Sequence, residues 1–177
     1  MFFLDASHFV MGGFPGRVWS VVRKWVKTSS GRQRFNVLGA LNFATKKVET
    51  IVNDTYITSA QIIMMLEKLA LEYAGKSIKV ILDNAKYQRC KAVTEVAALL
   101  DVELIFLPTY SPNLNLIERV WKLVKSKVLN SAYHETFADF CYNIEDCVAS
   151  LQTTLAANMT TLITRKFHIV NVHDIIC

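Results

Sequence analysis

Two rhythms of apolar and polar positions run along this chain. Short apolar stretches bounded by turn residues read as buried strands: 1–7 (MFFLDAS), 33–44 (QRFNVLGALNFA), 47–53 (KVETIVN), 77–84 (SIKVILDN) and 102–108 (VELIFLP). Between them, 58–75 places Ile62, Met65, Leu66 and Leu69 at helical spacing. Thr58 or Ser59 stands in the capping position and Gly75 at the end. Helices are also expected over 90–100, from Asn113 or Asn115 to about Asn130, and over 136–155. The order is three strands joined by short connections, then helix, strand, helix, strand, helix, helix. A meander followed by strand–helix–strand alternation predicts an α/β fold with a mixed five-stranded sheet. Its first three strands are antiparallel, the fourth and fifth run parallel to the first, and helices cover both faces.

At 177 residues with 52% hydrophobic content, the chain is expected to be a single domain with a sizeable core. Cys90, Cys141, Cys147 and Cys177 form no CxxC pair, so neither a disulfide framework nor a zinc site is indicated, and a reducing cytoplasm is expected. No apolar run approaches the length of a membrane span, so no membrane partner is expected. The net charge is only +5, but its distribution is uneven. No acid occurs between Asp5 and Glu49, while Arg17, Arg23, Lys24, Lys27, Arg32, Arg34, Lys46 and Lys47 fall in that interval, with Trp19 and Trp25 interleaved. A polyanionic partner follows.

Three carboxylates occupy positions where such folds collect ligands. Asp5 ends the first expected strand, Asp83 ends the fourth, and Glu118 lies one turn inside the helix after the fifth. If the first and fourth strands are neighbours, the three share a cleft and repel one another unless cations neutralise them. Carboxylate oxygens suit Mg²⁺ or Mn²⁺, and two such ions about 3.5–4 Å apart support phosphodiester chemistry. Each acid also has a purely structural reading. Asp5 and Asp83 could be turn formers, and Glu118 could pair with Asn115 as a cap and with Lys122 one turn on. The joint pattern favours the shared site. Asp54 suits a turn or cap, and His8 is expected to be packed rather than to touch the cleft.

The strings LDNA (82–85) and LPTYSPNLNLIERVWKLVK (107–125), with 34 residues between Asp83 and Glu118, resemble the catalytic core of DDE transposases of the mariner superfamily, specifically the bacterial insertion-sequence type. FLDASHFVMGG and SGRQRFNVLGALN resemble the blocks around that family's first aspartate and following strand, so the likeness extends to about residue 150. It implies a ribonuclease H-like fold with Asp5, Asp83 and Glu118 as catalytic, metal-binding triad, and two Mg²⁺ or Mn²⁺ ions as cofactors. The implied reaction is cleavage of double-stranded DNA at transposon ends and transfer of the 3′ hydroxyl to target DNA, by a homodimer. Leu116 replaces a usual proline and is expected to loosen the start of the helix; Gln88 replaces a common histidine. The family's N-terminal helix-turn-helix region is expected to be absent.

On this reading Arg17, Arg23, Lys24, Lys27, Arg32, Arg34, Arg119, Lys122 and Lys125 are the candidate DNA-backbone contacts. The apolar tail 165–177 is a candidate for exchange or edge pairing between copies, with packing on its own domain as the alternative. The competing function is a catalytically silent remnant or domesticated DNA-binding module of the same fold. A tyrosine recombinase using Tyr87 or Tyr110 lacks the arginine and histidine surround it needs. The Tyr-Ser-Pro string argues against a ribonuclease H or a junction nuclease.

Overall fold

The computed structural model describes residues 1–12, 21–22, 25, 32–108, 112–130 and 132–164. Arg17, Trp19, Arg23, Lys24, Lys27, Tyr110 and the tail from 165 lie outside the described residues, as do the expectations placed on them. Strands β1 (Phe2–Val10), β2 (Arg34–Asn42) and β3 (Val48–Asn53) come first. Helix α1 (Ser59–Glu72), β4 (Ile78–Leu82), α2 (Lys91–Leu99) and β5 (Val102–Phe106) follow, and α3 (Ile117–Val128), α4 (Phe137–Ser150) and α5 (Ala156–Leu162) complete the order. One five-stranded sheet runs β3-β2-β1-β4-β5. β1 is antiparallel to β2 and β2 to β3, whereas β4 is parallel to both β1 and β5. This is the expected topology, with the first and fourth strands adjacent.

β1 is central because it is apolar on both faces. Phe2 and Leu4 join the side chains of α1 and α2 on one side, while Phe3 and Phe9 join those of α3, α4 and α5 on the other. Thr58 caps α1 by accepting from the Ala60 amide, and Gln61 reaches back to the Thr58 backbone. The helix then lays Ile62, Met65, Leu66 and Leu69, all fully buried, on the sheet. Each contributes about 1.5–3 kcal/mol through removal of apolar surface from water. Thr136 and Asp139 form the same reciprocal cap on α4. The expected helix over 136–155 is two: α4 ends at Ser150, and after a turn α5 begins at Ala156. Met159 of α5 is buried in the α3 face of the core.

Candidate active site

The position of Asp5 differs from its expected place at a strand end. β1 continues along β2 to Val10, so Asp5 is mid-strand and pairs with Gly39. The parallel ladder with β4, however, covers only Phe2–Leu4 against Val80–Leu82. Asp5 is therefore the first residue beyond that ladder on β1, and Asp83 the first beyond β4. The two aspartates face each other where neighbouring parallel strands part. Alternation sends Asp5 to the α3 side, between Phe3 and Phe9, and His8 to the other. His8 instead contacts the Asn36 amide oxygen. Asp54 follows β3, at the edge of the sheet two strands from β1.

Glu118 comes from above, in the first turn of α3 rather than one turn in. Leu116 and Ile117 are fully buried in the core and fix that turn. Leu116 has φ −63°, close to what proline would impose. Among the described residues, no side chain caps α3. Asn115, which reads from sequence as the cap, turns inward: its Nδ2 donates to Asp83 Oδ1 at 3.0 Å and to the Leu4 carbonyl at 3.1 Å. One turn along, Trp121 lies over Gly39, where an added Cβ would come within 2.5 Å of Cζ2 of the indole. Because Gly39 is the cross-strand partner of Asp5, the missing side chain lets α3 settle beside that carboxylate.

Asp5, Ala6, Ser7, Glu118, Trp121, Lys122 and Lys125 line a cavity of about 170 Å³. Burial, followed by the charges of Asp83 and Glu118, pushes the Asp5 carboxyl up to about 7, against opposing effects from the Ala6 amide and Lys125. Burial and Asp83 also raise Glu118, while Lys122 and Lys125 counter them. The three acids thus act on one another electrostatically. Among the described residues, no three His, Cys, Asp or Glu side chains converge into a ready-made ion cage. Burial first, and the neighbouring carboxylates second, thus make Asp5 and Glu118 hold their protons more tightly. An all-oxygen, acidic donor set of this kind suits a hard divalent ion.

The cationic candidates separate. Lys122 and Lys125 rim the cavity, with Lys125 Nζ 5.6 Å from the centre of the Phe9 ring. Arg32 and Arg34 are exposed near the far end of the β1–β2 hairpin, where Arg34 pairs with Val10. Arg119 turns away from the cavity: its Nη1 donates to the Leu162 carbonyl at 3.0 Å and the Thr164 carbonyl at 3.4 Å, at and just past the end of α5. Replacing Arg119 by alanine is therefore expected to lower stability by about 1 kcal/mol and leave the salt dependence of DNA binding unchanged. A slope smaller by roughly 0.9, the value of a single phosphate pairing, would return Arg119 to the DNA interface. Tyr87, which the sequence suggests only as a nucleophile, is half-buried near the acids; burial and the charges of Asp5 and Asp83 raise its phenol.

No curated protein matches the chain by sequence. Solved structures do match its fold. A Mos1 strand transfer complex superposes with a TM-score of 0.60 at 14% identity, over 89% of this chain and 54% of that one. The Mos1 mariner paired end complex with Mn gives 0.61 at 10% identity, over 89% and 55%. The HTLV-2 integrase catalytic core domain in complex with magnesium gives 0.54 at 13% identity, over 86% and 85%. The chain spans about half the length of the Mos1 chains. Its architecture is the ribonuclease H-like one of transposase and integrase catalytic domains. Residues 1–141 match the DDE superfamily endonuclease family, and the chain belongs to that family.

Proposed function

We propose that this chain is the catalytic domain of a transposase. It would cut double-stranded DNA at transposon ends and join the freed 3′ hydroxyl to target DNA, with Asp5, Asp83 and Glu118 as its catalytic, metal-binding residues. The observation that carries the reading is the placement of two aspartates at the parting of adjacent parallel strands, with Glu118 closing the cleft from α3. Asp5 and Asp83 would flank Mg²⁺ or Mn²⁺, and Glu118 would complete the coordination. Bound there as a pair, such ions supply activation of an attacking oxygen and stabilisation of the leaving one. The chain's own residues hold the DNA: Lys122 and Lys125 stand beside the acids to meet backbone phosphates, and the exposed Arg32 and Arg34, near the Val10 end of β1, would add a separate contact. Assembly as a homodimer on paired ends is part of this reading; the Mos1 paired end complex and the dimeric form of the HTLV-2 integrase core give it general support.

Incubation of labelled element-end duplex with the protein and Mn²⁺ is expected to give metal-dependent nicks bearing 3′ hydroxyls, followed by joined products, with no protein covalently attached. A covalent protein–DNA adduct, or cleavage unaffected by chelation, would overturn the mechanism. A second expectation concerns binding alone. Replacing Arg32, Arg34, Lys122 and Lys125 together by alanine should flatten the dependence of log K on log salt by roughly 0.9 for each phosphate no longer neutralised. An unchanged slope in a fluorescence-anisotropy titration would remove these four from the interface.

A further inference from the structure

We propose that Asn115 is the positioning residue that locks the three carboxylates into one unit, an inference that rests on reading Asp5, Asp83 and Glu118 as the metal-binding trio. Asn115 is 1% exposed and reaches all three acid-bearing elements. Its side-chain Nδ2 donates to Asp83 Oδ1 at 3.0 Å. The same nitrogen donates to the carbonyl of Leu4, the residue before Asp5, at 3.1 Å. Its backbone carbonyl accepts from the Glu118 amide at 3.1 Å, in the first turn of α3. A single residue therefore ties the ends of the β1–β4 ladder to the start of the helix that completes the site.

The chemistry at this position is specific. Both partners of the side chain, a carbonyl and a carboxylate oxygen, are acceptors, so only a two-hydrogen donor satisfies them together. Aspartate would set a third acceptor against the other two, and serine is too short to span both. The bond to Asp83 engages one carboxylate oxygen and thereby fixes the rotation of the group, leaving its other oxygen to be directed at an ion. Partners of this kind, which touch a ligand and not the metal, typically change metal affinity by about 10–100-fold when removed.

The test is Mn²⁺ binding by the intact chain, read from the free-ion electron paramagnetic resonance signal, for wild type, Asn115→Ala, Asn115→Ser and Asp83→Asn. Asn36→Ala serves as a matched control. Asn36 is equally buried and donates to the Thr55 carbonyl at 2.8 Å, away from the acids. Both Asn115 variants are expected to bind Mn²⁺ about 10–100-fold more weakly. Asn36→Ala, with a comparable drop in melting temperature, should bind as wild type does. If alanine does not fold at this position, serine carries the comparison. Wild-type affinity in a folded Asn115 variant, with Asp83→Asn weakened, overturns the role of Asn115 and leaves the trio standing. Wild-type affinity in Asp83→Asn overturns the trio itself, and with it the inference.

Discussion

Asp83→Asn is expected to cut DNA cleavage at least about a thousand-fold, on the order of 4 kcal/mol of transition-state stabilisation, and to leave the metal-free protein as stable as wild type or more so. The two effects share one cause. Without metal, Asp5 is raised from 3.8 to about 7 by burial and by the charges of Asp83 and Glu118. The folded state therefore binds a proton that the unfolded chain releases. Stability from this group is fully present below pH 4 and is lost as pH rises through about 7. The metal-free protein should melt a few degrees higher near pH 5 than near pH 8, on the order of 1 kcal/mol from this carboxyl after allowing for solvent in the cleft. Neutralising Asp83 removes one source of the shift and should shallow that pH dependence. A cap or turn acid would behave oppositely, with its removal costing stability and sparing cleavage. Measuring nicking rate and melting temperature across this pH range for wild type and Asp83→Asn separates the two cases.

Gly39→Ala is expected to damage both stability and cleavage. Its Cβ would stand 2.5 Å and 2.7 Å from the Trp121 ring and 2.9 Å from Ile117 Cδ1, closer than packed atoms approach. Trp121 and Ile117 are both buried, so neither can swing into solvent. Relief requires α3 to lift from the sheet, at an overpacking cost of about 1–3 kcal/mol, or roughly 2–10 °C in melting temperature for a domain of this size. The same movement withdraws Glu118, one turn before Trp121, from Asp5, which pairs with Gly39. Cleavage should fall by more than the reduced stability accounts for. If Gly39→Ala is destabilised yet cleaves normally at a temperature where it is folded, the indole does not set the distance between helix and aspartate.

Much of the fold is legible in the sequence because local physics decides it. Apolar runs interrupted by turn residues become the strands, and Thr58 or Ser59 ahead of a helical pattern announces the start of α1, where Thr58 is the cap. Asp83 follows the last residue of an apolar strand, so its place needs no tertiary information. Asp5 is harder. A polar residue after MFFL reads as an ending, but β1 continues because β2 supplies an antiparallel partner as far as Val10. α5 does not stand apart from α4 in the sequence because a short helix carries little periodic signal. Asn115 reads as a cap because sequence offers only near neighbours as partners. Its actual bonds reach Asp83 and Leu4, 32 and 111 residues away. The same holds for Arg119, whose acceptors on Leu162 and Thr164 lie 43 and 45 residues on. Charge alone assigns it to DNA; the fold gives it carbonyls to hold.

Asp5, Asp83 and Glu118 are expected to bind a divalent ion together. The most direct measurement is the melting shift on adding Mn²⁺ to wild type, Asp5→Asn, Asp83→Asn and Glu118→Gln at one pH above 7. Wild type is expected to gain several degrees, since ion binding stabilises the folded state in proportion to the logarithm of ion concentration over its dissociation constant. Each of the three variants is expected to lose most of that gain while remaining folded without metal. An undiminished Mn²⁺ shift in all three would contradict the account.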